Sequence, residues 1–251
     1  MSRFAHIWTR FASPLAALGL LAGGSAAAAA PLTLEEAELF FELNDTDGDL
    51  GLHAAIDGGP YTRLEIDDPK DNTILAISAK GRLGKQGLTQ LAFESAELPF
   101  DELSPEDFFA RFPEGRYEIE ITRGGQEFET RVRLSHVLAG PPDHITVSGK
   151  PAAESCDDTP LPTASEPVVV DWDPVTESHP EIGDEGDVEI VRYQLFVEQG
   201  DTMFGVDLPP DVTEFEVPTA ITASGGTFKF EIIARTEELN NTAIESCFVV
   251  P

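Results

Sequence analysis

From Ala37 onward, apolar and polar residues alternate in short runs separated by turn residues, which is the two-residue period of a pleated strand. In the first half the pattern predicts strands over AELFFEL (37–43), LGLHAAID (50–57), YTRLEID (61–67), TILAISA (73–79), LTQLAFES (88–95), RYEIEIT (116–122) and EFETRVRLSHV (127–137). In the second of these, Leu50, Leu52, Ala54 and Ile56 fall on one face. GGP at 58–60, DDPKDN at 67–72 and RGGQ at 123–126 supply the breaks, the last as a two-glycine hairpin turn. One helix interrupts the strands. Ser104 is its cap, Pro105 suits its first turn, Asp107 completes a capping-box-like pattern, and Pro113 stops it after FFARF.

The second half repeats the strand pattern over PVVVDWDPV (167–175), IVRYQLFVE (190–198), TMFGVDLP (202–209), TEFEVP (213–218), GTFKFEIIART (226–236) and IESCFVV (244–250). AGPPD at 139–143 separates the two series with two prolines and a glycine. The expected architecture is all-β: two tandem antiparallel β-sandwich domains over 31–140 and 143–251, with one short helix in the first. Each half is near the common domain size and long enough for its own core.

The second half resembles a fibronectin type III domain in its second-strand Trp172, third-strand Tyr193, the Phe228-to-Ala234 strand and the closing strand with Cys247. The family usually carries tyrosine where this chain has Phe228, so the hydroxyl that ties the strand crossover to backbone is missing there. Tyr117, in PEGRYEIEI, stands where a corner tyrosine is expected in the first half. That half resembles an immunoglobulin-like domain of uncharacterised secreted bacterial proteins, a resemblance that implies no activity.

Residues 1–30 read as a cleaved secretory leader: Arg3 and Arg10 precede the apolar SPLAALGLLAGG, and small residues follow up to Ala28–Ala30. The apolar run is shorter than the ~20 residues a spanning helix needs. The expected location is secreted or periplasmic, with no membrane insertion of the mature chain. The formal charge is −30, from 46 acidic and 16 basic residues, and loss of Arg3 and Arg10 with the leader deepens it. Such a surface repels phosphate backbones and anionic lipid, which argues against nucleic-acid partners. It fits either a saline habitat or a basic or cationic partner. The two cysteines, Cys156 and Cys247, are expected to pair in an oxidising compartment, the alternative being two buried thiols.

Candidate chemistry is sparse. NDTDGDLG (44–51) places Asp45, Asp47 and Asp49 at alternate positions, as in the first five residues of a calcium-binding EF-hand loop. Leu50 then stands where that loop needs glycine and Ile56 where it needs glutamate, so the favoured reading is an Asx-rich turn between strands. Ca²⁺ is the one cofactor that these aspartates suggest. No GxSxG occurs, Ser135 and His136 should point to opposite faces of a strand, and His53 should face outward. GRLGKQG (81–87) shows no helix opening and no Ser or Thr after Lys85, which argues against a phosphate loop. The end loop TESHPEIGDEGD (176–187) offers Glu177, His179, Glu181, Asp184, Glu185 and Asp187 as a binding loop, although its glycines and lack of apolar anchors predict a mobile, solvated segment.

The expectation is a non-enzymatic binding or scaffolding protein that presents loops or strand edges to a protein or polysaccharide. The alternatives are a calcium-dependent adhesion module, or an accessory domain or hydrolase acting on an extracellular polymer.

Overall fold

A computed structural model describes residues 34–251; the expected leader and its cleavage point lie outside them. The alternating runs form strands close to the predicted bounds. The first half contains β1 (Leu34–Asn44), β2 (Asp49–Tyr61), β3 (Arg63–Asp67), β4 (Thr73–Ser78), helix α1 (Gly81–Gln86), β5 (Leu88–Glu94), β6 (Leu98–Pro99), helix α2 (Pro105–Arg111), β7 (Gly115–Arg123) and β8 (Gln126–Leu134). The second half contains β9 (Thr146–Val147), β10 (Lys150–Pro151), β11 (Val169–Asp171), β12 (Ile190–Gln199), β13 (Thr202–Leu208), β14 (Glu214–Glu216), helix α3 (Thr219–Thr222), β15 (Gly226–Thr236) and β16 (Asn241–Val250).

Two apolar cores result, each between two layers of sheet. The first gathers Leu39, Phe41, Leu43, Leu50, Leu52, Ala54 and Ile56 from β1 and β2 against Leu64, Ile66, Tyr117, Ile119 and Ile121 from the sheet β4-β3-β7-β8. The second gathers Tyr193, Leu195, Val197, Phe228, Phe230, Ile232 and Phe248 against Val147, Val170 and Val217, the first two lying in the sheet β10-β9-β11-β14. Trp172 is 1 % exposed and meets Tyr193 edge to face, with ring centroids 5.5 Å apart. The all-β sandwich architecture is therefore present in both halves.

One feature is absent from the sequence pattern. β1 pairs with β16 in parallel, Glu42 opposite Asn241 and Asn44 opposite Ala243, so the larger layers of the two halves fuse into one sheet of order β13-β12-β15-β16-β1-β2-β5. The AGPPD segment lies at this seam rather than in an open linker. Ala139 is fully buried, its carbonyl accepts from the Thr242 hydroxyl at 2.8 Å, and it bridges to Ser178.

Local chemistry explains the ends of the elements. The Ser104 hydroxyl accepts from the Asp107 backbone N–H at 3.2 Å, capping α2 as its sequence predicts. The Tyr117 hydroxyl donates to the Pro113 carbonyl at 3.0 Å, which is the corner tie expected in the first half. In the second half Phe228 has no hydroxyl and instead stacks on Phe248, with centroids 5.5 Å apart. Cys156 and Cys247 form a disulfide, so the alternative of two free thiols is excluded. GRLGKQG, read as lacking a helix, forms the six-residue α1, opened by Gly81 at φ +59 and closed by Gly87 at φ +85. The expected strand at 167–175 shortens to β11, and Pro174 lies past its end.

Candidate functional site

The NDTDGDLG turn lies at the seam. The Asn44 side-chain oxygen accepts from the backbone N–H groups of Thr46 and Asp47 at 3.1 Å each, and Gly48 takes the positive φ of +65 that closes the hairpin. Residues 50–57 continue as strand, as the alternation requires. The turn is stitched to β16: Asp45 N–H donates to the Ala243 carbonyl at 2.9 Å, and the Thr46 hydroxyl accepts from Glu245 N–H at 2.7 Å. The three aspartates then diverge in role. Asp45 Oδ1 accepts from His179 Nε2 at 3.0 Å, whereas Asp49, at the start of β2, lies within the field of Glu97, Asp47, Glu245 and Glu42. Asp45, Asp47 and Asp49 do not gather in any of the candidate cation clusters found among the described residues.

The end loop 176–187 is a clasp, which corrects the expectation of a mobile, unanchored segment. His179 is buried, its Nδ1 accepting from the N–H groups of Glu181 at 3.1 Å and Ile182 at 2.9 Å while Nε2 reaches Asp45. Ile182 packs against the first core, and Asp184 N–H donates to the His136 carbonyl at 3.0 Å. His179 is thus withdrawn from the proposed binding set, while Glu177, Glu181, Asp184, Glu185 and Asp187 remain exposed around the clasp.

The other histidines among the described residues are also occupied. His136 lies just past β8, half-buried; its Nε2 donates to the Phe112 carbonyl at 2.8 Å and its ring sits 4.4 Å from that of Phe109. Its neighbour Ser135 is 1 % exposed and accepts from Val137 N–H at 3.1 Å. His144 is exposed beside Asp143 and Asp173.

His53 faces away from the first core, as expected, yet it is only 8 % exposed. Its Nε2 donates to Glu97 Oε1 at 3.0 Å, and Glu42 completes a group whose candidate ligand atoms lie within 4.8 Å of one another. Burial opposes a charged imidazole there, but the Glu97 hydrogen bond and the charges of Glu42, Glu97 and Glu94 outweigh it and raise the pKa. Asp49 is pushed up to about 7, by burial first and then by Glu97, Asp47, Glu245 and Glu42. In the second half, Glu231 on β15 and Glu245 on β16 are cross-strand partners, each 5 % exposed. Burial, then Glu42 and Glu245, drive the Glu231 carboxyl well above its ordinary value. Lys229 pairs with Glu245, while Arg235 pairs with Glu38 at 2.7 Å and lies over the Phe40 ring.

Sequence reasoning missed this convergence because each acid occupies an ordinary outward position in a chain rich in acids. The available signal was Gly51. A glycine inside a strand marks a place where another group must approach the backbone closely, and a Cβ there would lie 2.5 Å from Glu97 Oε1.

No protein-family model and no curated protein matches the chain. Among solved structures it is similar to a two-domain fibronectin type III segment of chicken tenascin, at 14 % identity and TM-score 0.28, covering 85 % of this chain and 97 % of that one. It is also similar to the FN1–FN3 domains of chicken CNTN1, at 8 % identity and TM-score 0.35, covering 86 % of this chain and 64 % of that one. A third similarity is to a bacterial ice-binding adhesin, at 11 % identity and TM-score 0.25, covering 88 % of this chain and 65 % of that one. At such identity and overlap the likeness carries no statement about activity or partner.

Proposed function

We propose that this chain is an exported, non-enzymatic binding or scaffolding module that presents strand edges and end loops to a protein or polysaccharide. The observation that carries this reading is the fused sheet. It joins two sandwiches into one platform, and side chains of the types catalysis uses are spent on holding it: His179 locks the clasp, His136 ties the end of α2 to the end of β8, and Ser135 closes a turn. The Cys156–Cys247 bond suits an oxidising compartment outside the cytoplasm. Among the described residues no helix is long and apolar enough to cross a membrane.

The platform has features suited to presentation. β13 and β5 end the large sheet, and each pairs with one neighbour on its inner side. Strand edges recognise partners by adding a strand through main-chain hydrogen bonds. On the β13 edge strand Met203 is 45 % exposed, opposite Glu198 on β12 and next to Asp201 in the connecting turn. An acidic rim around an apolar step favours a partner with basic character.

The immobilised chain, incubated with native envelope extract or culture medium, should retain a saturable protein or glycan partner, and Met203→Lys should weaken that retention. Hydrolysis of a polymer substrate by the purified chain, without such retention, would overturn the reading.

A further inference from the structure

We infer that Glu42, His53 and Glu97, with Asp49 beside them, form a binding site for one divalent transition-metal ion, of the class of Zn²⁺ or Mn²⁺, on the polar face of the fused sheet. This site is independent of the partner-binding reading.

The sheet register builds it. On β1 and β2, Glu42 lies directly opposite Gly51, Asn44 opposite Asp49, and Phe40 opposite His53. β6 then pairs Leu98 with Leu50, which sets Glu97 over Gly51. Because Gly51 has no side chain, its backbone leaves a notch. A Cβ at that position would lie 2.5 Å from Glu97 Oε1 and 2.9 Å from His53 Nε2, so those two atoms occupy the space a side chain would fill. They are 3.0 Å apart, and a Glu42 oxygen completes the triangle within 4.8 Å. Asn241 Nδ2 donates to Glu42 Oε2 at 2.7 Å and holds that carboxylate in place. The arrangement offers one imidazole and two carboxylates converging on one point, with a third carboxylate alongside.

A second observation points to an ion. Asp49, two residues before Gly51 on β2 and therefore on the same face, has a buried carboxylate oxygen, Oδ1, with no hydrogen-bond partner among the described residues; farther across the sheet, Glu231 Oε2 and Glu245 Oε1 are likewise buried without one. Glu231 is 5 % exposed and lies on β15, with β16 between it and β1. Lys229 bonds Glu245, and Arg235 is committed to Glu38 and Asn241. Carboxylates buried in such number either hold protons or are met by positive charge, and a dication held by Glu42, His53 and Glu97 would meet the charge on this part of the sheet.

The donor set selects the class of ion. Ca²⁺ and Mg²⁺ favour all-oxygen cages, whereas an imidazole among carboxylates suits zinc, manganese and related first-row ions.

The test uses the full mature chain in a His144→Ala background, which removes the exposed group of Asp143, His144 and Asp173 as a competing site. The chain is stripped with chelator and titrated calorimetrically with Zn²⁺, Mn²⁺, Ca²⁺ and Mg²⁺. One equivalent of Zn²⁺ or Mn²⁺ should bind at least about tenfold more tightly than Ca²⁺. His53→Gln and Glu97→Gln should each weaken it by about 100-fold or more, exceeding the effect typical of residues that only support ligands. Glu177→Gln, on the exposed loop, should leave it unchanged. Zinc-edge X-ray absorption on the His144→Ala chain needs no substitution within the site, and should show an imidazole scatterer with ligands at about 2.0–2.2 Å. No saturable binding, a preference for Ca²⁺, binding that survives both His53→Gln and Glu97→Gln, or a zinc shell without imidazole would each overturn the inference.

Discussion

At the scale of single residues, the polar face of the fused sheet sets the sharpest expectations. Glu231 is buried with one oxygen unpartnered among the described residues, and its carboxyl is held well above the ordinary value of 4.5 by burial and by Glu42 and Glu245. The native state therefore holds this proton at a higher pH than the unfolded chain does, so the group destabilises the fold at neutral and alkaline pH. The penalty fades as pH falls through the folded value toward 4.5. Glu231→Gln should accordingly stabilise the chelated protein by about 1–3 kcal/mol near pH 8, with the gain shrinking toward pH 5. Urea unfolding at the two pH values measures both. Tyr117 is the opposite case, a buried hydroxyl with its partner in place. Tyr117→Phe removes the donor to the Pro113 carbonyl and should cost about 1 kcal/mol at either pH.

Among elements, the junctions carry more than the strands. Asn240 is fully buried between β15 and β16, its side-chain oxygen accepting from Phe41 N–H at 2.9 Å and its amide donating to the Ser135 and Val137 carbonyls at 2.9 Å each. One side chain thus joins β1, the end of β8 and the last hairpin. Asn240→Ala would strand three backbone groups and should cost roughly 3 kcal/mol or more, read by urea unfolding. Replacing both Cys156 and Cys247 with alanine should cost about 2–4 kcal/mol by the same measurement. The strands were legible in the sequence because a half-buried strand writes its burial into every second residue, as Leu50 to Ile56 and Ile190 to Val197 do. The seam was not, since parallel pairing of distant strands leaves no local mark. The polar face was equally hidden: alternation assigns Glu42, His53 and Glu231 to the outside and says nothing about whether that outside is covered. The clasp escaped because its anchors, His179 and Ile182, are single residues within an acidic run. Helix α1 escaped because its glycines read as loop.

For the whole molecule, the fused sheet makes the two sandwiches thermodynamic partners. Calorimetry should show one transition whose calorimetric and van't Hoff enthalpies agree; two resolved transitions would mean that the seam contributes little. Residues 34–140 alone would lose the β16 pairing of β1 together with the Asn240 and His179 contacts, and should unfold well below the intact chain. The β1–β16 pair also has a meaning in time. Its residues stand as far apart as Glu42 and Asn241, a separation of 199 along the sequence. Contacts between such distant residues form late because so much chain must be gathered first. During synthesis, the first sandwich waits with an open β1 edge until the final strand arrives. That interval is when the chain is most exposed to wrong pairing and has most need of a chaperone.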